Sequence, residues 1–248
     1  MKISILMPTY NIPTELLAIA ITSVFQQTHR DFEIIIKDGC LSKPAVDAPY
    51  IQELIDGFGD KIKYILSPDG PPESERKLGV FSGYYWALND CIKASTGDIL
   101  SILCADDRRG GPDVLKHVNQ EFEDHGPNPF LLYGLCEWID RQGEHICYKQ
   151  PPEIPVTFET ILRDWPFYTP SLFWNRAVHD KFGLFDPENC PWTGDVEFWL
   201  RCWKGIDSKY TPELIGQYRQ WETSHARDNG HYLGLEGSRI QKQYREAV

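Results

Sequence analysis

The fold of this chain is decided by the stretch Gly97-Asp98-Ile99-Leu100-Ser101-Ile102-Leu103-Cys104-Ala105-Asp106-Asp107. Its apolar part is short and nearly uninterrupted, which is typical of a strand buried on both faces of a sheet. Asp106 and Asp107 follow this strand, at the end where open α/β sheets bind ligands. Because adjacent carboxylates repel each other in a dry site, we expect a divalent cation to neutralise them. The alternative is a surface turn, solvated beside Arg108 and Arg109.

The bulk composition limits the class of protein. The 248 residues, 42% of them hydrophobic, suit one large α/β domain, and the chain has no apolar run of transmembrane length. A formal net charge of −11 disfavours nucleic acid and anionic lipid as partners. Seven cysteines, an odd number without a C-x-x-C pair, predict reduced thiols of a cytoplasmic protein. The apolar segment after Met1 and Lys2 is too short for a signal peptide.

Strands and helices alternate in the first half of the chain. Apolar runs predict strands at residues 2–7, 32–36 and 62–66, with helices that begin near Pro13 and Tyr50. This alternation favours parallel crossovers, whose strands end at one common edge of the sheet. The turn 8–11 and Asp38 are therefore expected beside Asp106 and Asp107.

The second half has a different pattern. A helix at about 80–94 follows the charged, proline-rich loop 67–77, and a hairpin joins strands at 130–139 and 145–148. Another helix begins near Asp195, and a strand at 214–218 and a tail helix from about 233 follow it.

Several motifs, in this order, carry a resemblance to a known family. They are Pro8-Thr9-Tyr10-Asn11, Ser23-Val24-Phe25-Gln26-Gln27-Thr28, Asp38-Gly39, Thr96-Gly97-Asp98-Ile99-Leu100, Ala105-Asp106-Asp107, Leu131-Leu132-Tyr133-Gly134, Tyr168-Thr169-Pro170-Ser171-Leu172-Phe173-Trp174-Asn175-Arg176, Phe182-Gly183-Leu184-Phe185-Asp186, Gly194-Asp195-Val196-Glu197-Phe198-Trp199-Leu200-Arg201 and Gly216-Gln217-Tyr218-Arg219. The series resembles the family 2 glycosyltransferases from residue 3 to about residue 228.

The resemblance implies the GT-A fold, a Rossmann-like, mostly parallel sheet flanked by helices, with a smaller mixed acceptor-side half. A single domain over 1–248 would comprise a nucleotide-sugar half (1–109), an acceptor and catalytic half (110–228) and a tail helix (229–248). The implied activity is inverting and metal-dependent transfer from a nucleotide-diphospho-sugar, with UDP as the expected nucleotide. The acceptor would be a saccharide or lipid-linked saccharide of surface-polysaccharide assembly, in the cytoplasm or at the inner face of the membrane.

The resemblance also implies roles for individual residues. Pro8, Thr9, Tyr10 and Asn11 would surround the base and ribose, and Asp38 would accept from a base N–H. Asp106 would reach the ribose, Asp107 would hold Mn²⁺ or Mg²⁺, and Asp195 would act as the base that deprotonates the acceptor.

Structural alternatives remain for these residues. Thr9 and Asn11 could form a turn or a helix cap, and Asp38 could be a turn residue. Asp195 could cap its helix, and Glu197, two positions on, is expected to pair with Arg201 instead of acting as the base.

The chain departs from the family pattern at several positions. Gly194 replaces the usual first acid before the catalytic Asp, and the helix segment 86–89 offers neither Asp nor Arg. Arg76 or Lys77 could contact phosphate instead, and His225 could reach the metal or phosphate. Acceptor candidates are the aromatic residues Trp165, Phe167, Tyr168, Trp174 and Trp192, of which at least Trp174 is expected in the core.

Two other functions are compatible with part of the pattern. A sugar nucleotidyltransferase would carry a glycine-rich, basic loop after the first strand, where this chain has Pro8-Thr9-Tyr10-Asn11. A non-catalytic nucleotide- or sugar-binding relative would tolerate Asp195→Asn.

Overall fold

A computed structural model of the protein describes residues 1–39, 45–47, 49–66, 83–221 and 230–246. The expected loop 67–77, with Arg76 and Lys77, lies outside the described residues, as does His225.

One sheet runs through the described part of the chain, in the strand order β3-β2-β1-β4-β8-β6-β9-β5, with β7 paired to β6. The strands are β1 (Ile3–Thr9), β2 (Phe32–Asp38), β3 (Ile62–Leu66), β4 (Ile99–Ile102), β5 (Arg108–Arg109), β6 (Phe130–Ile139), β7 (His145–Lys149), β8 (Leu172–Asn175) and β9 (Asp207–Arg219). The helices are α1 (Thr14–Phe25), α2 (Pro49–Phe58), α3 (Gly83–Ala94), α4 (Val114–His125), α5 (Phe158–Arg163), α6 (Ala177–Phe182), α7 (Gly194–Cys202) and α8 (Gly230–Glu246).

The first half of the sheet is parallel, as the alternating pattern predicts. Strand β1 lies between β2 and β4 and is parallel to both, and β3 is parallel to β2. Thr9 at the end of β1 pairs in register with Asp38 at the end of β2. The expectation that these strands end at one common edge is confirmed.

The second half of the sheet is mixed. Strand β8 is antiparallel to both β4 and β6, whereas β9 is parallel to β6. Strand β5 comes directly after Asp107 and pairs with the end of β9, which brings the two distant segments together. The α/β architecture with a mixed second half is confirmed.

Helices cover both faces of the sheet. Successive side chains along a strand alternate between the two apolar cores, one on each face. On β1, Ile5 and Met7 pack with α1, α2 and α4, whereas Leu6 packs with α3, α5, α6 and α7. This is the alternation that a strand buried on both faces requires. None of the described helices has an apolar segment long enough to cross a membrane.

Strand β9 is the element whose length the sequence underestimates. The predicted strand 214–218 is the end of a strand of 13 residues, Asp207–Arg219. Its first half is polar, partly exposed and interrupted by Pro212, so the apolar pattern there is weak, and pairing with β6 decides its structure. Helix α6 was likewise not predicted.

Replacing Leu100 by alanine tests the importance of β4. Its side chain is fully buried in the core that contains α3 and α7. We expect Leu100→Ala to lower the free energy of unfolding by about 2–5 kcal/mol, because the remaining cavity refills only in part. Urea denaturation measures this change, with Leu235→Ala as the control, since Leu235 is 60% exposed. Equal effects of the two substitutions would contradict this packing.

Candidate functional site

The ends of β1 and β2 form a cradle at the sheet edge. Tyr10 is 54% exposed and its ring lies against Gly39, where a Cβ would be 3.5 Å from Cδ2. Asn11 has a φ of 49°, the left-handed conformation of a tight turn. The buried hydroxyl of Thr9 has no hydrogen-bond partner among the described residues. A buried polar atom of this kind is suited to a polar ligand.

Asp38 has contacts within the protein. It is 1% exposed, and its Oδ2 accepts from the backbone N–H of Ala45, at 2.8 Å, and from the hydroxyl of Tyr64. These bonds fix the chain after β2 and support the structural alternative. Recognition of a base by Asp38 stays a prediction.

The second residue of the expected metal motif is buried, and the first is partly exposed. Asp107 is 1% exposed, and its Oδ1 accepts from the backbone N–H of Arg219 at 2.8 Å. Its Oδ2 is buried and has no hydrogen-bond partner among the described residues. Asp106 accepts from the indole N–H of Trp221 through Oδ2, at 3.0 Å. The alternative of a solvated turn is therefore wrong for Asp107.

Burial makes the charge of this pair unfavourable. Desolvation raises the pKa of Asp106, and it raises the pKa of Asp107 well above its usual range, with a further contribution from the charge of Asp106. The positive charges of two arginines partly offset this effect and favour the ionised carboxylates. Arg219 lies beside both carboxylates, and the positive charge of Arg109 interacts with Asp107 although burial lowers the pKa of Arg109 to about 9.

Arg219 is a site residue that sequence reasoning did not single out. Its Nε donates to the carbonyl of Asp106 at 2.7 Å, and its Nη1 donates to the carbonyls of Asp140 and Arg141 at 2.9 and 2.8 Å. One side chain thus joins the end of β4 to the β6–β7 turn. The motif Gly216-Gln217-Tyr218-Arg219 was recognised, but only tertiary structure shows what its last residue contacts.

The acidic pair fits a divalent cation. Ligand atoms of Cys104, Asp106 and Asp107 all lie within 4.8 Å of one another. Mg²⁺ and Mn²⁺ prefer oxygen ligands, so the carboxylates are the suitable donors of this set. The buried Oδ2 of Asp107, which has no hydrogen-bond partner among the described residues, is an oxygen that could bind such an ion.

Asp195 lies in the first turn of α7. The cap position belongs to Thr193, so Asp195 is not the cap residue, but its Oδ1 accepts from the first-turn backbone N–H of Val196 at 3.0 Å. The carboxylate of Glu236, from the tail helix, accepts from the backbone N–H groups of Trp192 and Thr193 at 2.9 and 2.6 Å, and from the Thr193 hydroxyl at 2.9 Å. Helix α8 therefore holds the start of α7 in place.

A series of side-chain contacts connects Asp195 to the end of β4. The hydroxyl of Tyr85 donates to Oδ1 of Asp195 at 2.7 Å. The Tyr85 ring meets the Tyr84 ring edge-on, with centroids 5.0 Å apart, and the Tyr84 hydroxyl lies 3.6 Å from Sγ of Cys104. Burial raises the pKa of Asp195, and the bond from Tyr85 opposes that increase.

Other sequence expectations are resolved nearby. Glu197 pairs with Arg201 at 2.9 Å and also accepts from the hydroxyl of Tyr244, so its predicted structural role is confirmed. Trp174 is fully buried as expected, and the acceptor candidate Phe167 is also buried in the core. Trp192 is partly exposed and stacks on Tyr232, with ring centroids 5.0 Å apart.

Comparison with known families gives a match over residues 4–128 to the model described as glycosyl transferase family 2. The chain belongs to this family. The resemblance inferred from the motifs is confirmed.

Individual relatives are distant and several are longer. The chain is 27% identical over 248 residues to an uncharacterized glycosyltransferase of Methanocaldococcus jannaschii, covering 97% of this chain and 75% of the relative. It is 26% identical over 209 residues to one of Rickettsia conorii, covering 82% of this chain. The chain spans 31% of the length of that relative.

Solved structures share the fold. The structure of S. aureus TarS 1–349 in complex with UDP has a TM-score of 0.67 at 17% identity, covering 98% of this chain and 65% of that one. The mannosyltransferase PcManGT of Pyrobaculum calidifontis, in complex with GDP-Man and Mn²⁺, has a TM-score of 0.62 at 14% identity, covering 92% and 59%. The predicted GT-A-like α/β fold is confirmed.

The burial of Asp107 predicts a trade-off between stability and metal binding. The folded state holds the carboxyl proton more tightly than the unfolded state, so this group stabilises the protein at low pH and that contribution is lost as pH rises through the raised pKa. At neutral pH without metal, Asp107→Asn removes the unfavourable free energy of a buried charge. We expect it to raise the melting temperature by about 2–4 °C for each kcal/mol of that free energy.

The same substitution should abolish stabilisation by Mn²⁺. Thermal unfolding in EDTA and in Mn²⁺ measures both effects, and the exposed Asp60 provides the control variant Asp60→Asn. An Asp107→Asn protein that is no more stable in EDTA than the parent contradicts the first expectation. A protein that keeps its Mn²⁺ response contradicts the second.

Proposed function

We propose that this protein is an inverting glycosyltransferase that uses a nucleotide-diphospho-sugar and a divalent cation. The observation that carries the proposal is the link between Asp195 and the acidic pair after β4. Asp195 contacts Tyr85, and the Tyr85–Tyr84 pair reaches Cys104 beside Asp106 and Asp107. A leaving-group site and a base near one another are what transfer of a sugar requires.

The donor side supports a nucleoside diphosphate. The unpartnered oxygen of Asp107 suits a divalent cation. Such a cation would bind the diphosphate of the donor and offset its repulsion by the acidic groups of the protein. TarS structures in complex with UDP and with UDP-GlcNAc, and PcManGT with GDP-Man and Mn²⁺, show that this fold accommodates such donors. A uridine nucleotide bound by Pro8, Thr9, Tyr10, Asn11 and Asp38, with Asp106 at the ribose, is our proposal for this chain.

In the proposed reaction, Asp195 takes the proton of an acceptor hydroxyl. The acceptor oxygen attacks the anomeric carbon from the face opposite the diphosphate and forms the new glycosidic bond. The bond between that carbon and the diphosphate oxygen breaks, and the nucleoside diphosphate leaves with the electron pair. Inversion follows because attack and departure occur on opposite faces. A bound Mn²⁺ or Mg²⁺ would supply charge stabilisation for the leaving diphosphate.

The acceptor is proposed to be a saccharide or lipid-linked saccharide in surface-polysaccharide assembly, with the reaction on the cytoplasmic side. A sugar nucleotidyltransferase is less well supported, because a Pro-Thr-Tyr-Asn turn replaces the glycine-rich basic loop after β1.

Substitution of Asp195 by asparagine tests the base. We expect turnover to fall by about 10²–10⁴-fold, because the amide cannot take a proton. Donor affinity should be retained, since an asparagine oxygen can still accept the bonds from Tyr85 and Val196. Release of nucleoside diphosphate with a panel of saccharide acceptors measures turnover, and titration calorimetry measures binding.

Glu197→Gln is the matched control for this test. It removes the competing carboxylate two positions away in the same helix, and it should leave turnover nearly unchanged. Full turnover in Asp195→Asn would refute the proposed base. Absence of turnover in the parent protein with every donor and acceptor of the panel would support the non-catalytic relative.

Donor identity can be tested by thermal shift. At a concentration of 100 times Kd, a ligand specific for the folded state stabilises it by about 2.7 kcal/mol. We expect UDP or a UDP-sugar to raise the melting temperature in Mn²⁺ and to do so much less in EDTA. A shift with guanosine diphosphate alone would correct the base assignment. No shift with either nucleotide would contradict donor binding.

A further inference from the structure

We propose that Tyr85 is a positioning residue for Asp195, and that the glycine at position 194 makes room for it. The inference rests on the proposed role of Asp195 as the base. It concerns a contact between two helices that are far apart in the sequence, because Tyr85 belongs to α3 and Asp195 to α7.

The two carboxylate oxygens of Asp195 have different hydrogen bonds. Oδ1 accepts from the Tyr85 hydroxyl at 2.7 Å and from the backbone N–H of Val196 at 3.0 Å. The bonds from Tyr85 and Val196 thus go to the same oxygen. Neither of these two bonds occupies Oδ2, and we assign that oxygen to accept the proton of an acceptor hydroxyl.

Gly194 explains how the tyrosine reaches this position. A Cβ built on Gly194 would lie 3.0–3.1 Å from Cδ2, Cε2 and Cγ of the Tyr85 ring, closer than most real contacts of a Cβ. The ring thus fills the space that a side chain at position 194 would need.

Tyr85 is itself held firmly. Its side chain is buried and packs against Tyr84 and Phe185, with ring centroids 5.0 and 5.6 Å away. Burial and the charge of Asp195 both raise the pKa of Tyr85, so its hydroxyl stays protonated and can only donate to the carboxylate. A fixed donor orients Asp195 without competing for the proton.

The contact also determines when Asp195 is charged. Burial raises the pKa of Asp195, and the Tyr85 hydroxyl opposes this by stabilising the ionised form. Among the described residues, the other ionisable groups that interact with Asp195 include Glu236 of α8, Tyr84 of α3 and Cys104 after β4. Glu236 raises the pKa of Asp195, and the positively charged groups near β4 act mainly on Asp106 and Asp107.

The test is Tyr85→Phe, which removes the hydroxyl and keeps the ring. We expect kcat to fall by about 10- to 100-fold, the loss that follows removal of a hydrogen bond to a charged group, with KM for the donor little changed. The acidic limb of the pH profile of kcat should move to higher pH, because loss of the Tyr85 hydroxyl raises the pKa of Asp195. Carboxyl-carbon NMR of aspartate-labelled protein, with Asp195→Asn for assignment, measures the same shift independently of turnover.

Two further variants sharpen the result. Tyr133→Phe is the control, because it also removes a buried tyrosine hydroxyl, one that accepts from the backbone N–H of Val156, and it should not move the Asp195 resonance. Gly194→Ala should displace the ring and act like Tyr85→Phe, and it should have much less additional effect when Tyr85 is already phenylalanine.

The outcomes separate this proposal from the proposed function. If Asp195 titrates identically in Tyr85→Phe and in the parent protein, the positioning role is wrong while the base role stands. If Asp195→Asn retains full turnover, the base role is wrong and the positioning role fails with it.

Discussion

The constraint on which the rest of the structure depends is the burial of the Asp107 carboxylate next to Asp106, just after β4. Charge in such a place is unfavourable without compensation. Arg219 supplies compensation from the far end of β9, more than a hundred residues later in the chain, and its backbone N–H binds Asp107 directly. Strand β5, which begins immediately after Asp107, pairs with the same end of β9. The long, mixed second half of the sheet is thus organised to complete a site that begins on the parallel half.

Helix α3 connects the sheet to the proposed catalytic carboxylate. Its apolar side packs on β1 and β2, and Tyr85 projects to Asp195 while Tyr84 projects to Cys104. The start of α7 is held from the other side by Glu236 of the tail helix. A carboxylate on a helix fixed by two separate elements loses little freedom when a substrate arrives, which is the condition for positioning by the protein scaffold. The tail helix therefore has a structural link to the site, in addition to its contribution to the core.

The departures from the family pattern have local physical explanations. Gly194 stands where the family motif has an acid, and the ring of Tyr85 occupies the space next to its Cα. In the family that this chain resembles, a histidine often follows the Tyr-Arg pair. Here Trp221 stands near that place, two residues after Arg219, and its indole N–H donates to Asp106. An indole can donate only, whereas a neutral histidine could also coordinate a metal. In this chain, that position therefore orients the acidic pair instead of supplying a ligand.

The sequence by itself determined the parallel half of the sheet, the helices beside it and the acidic residues at its edge. Period-two and period-3.6 patterns are local, and an apolar run ending in Asp106-Asp107 can be recognised without knowing its neighbours. The sequence could not determine the full length of β9, because pairing with β6 stabilises a segment whose own pattern is weak. Nor could it assign Arg219, Tyr85 or Glu236, whose roles consist of contacts with residues far away in the chain. Only the tertiary structure brings those partners within hydrogen-bonding distance, and it alone showed that Asp107 is buried and not a solvated turn residue.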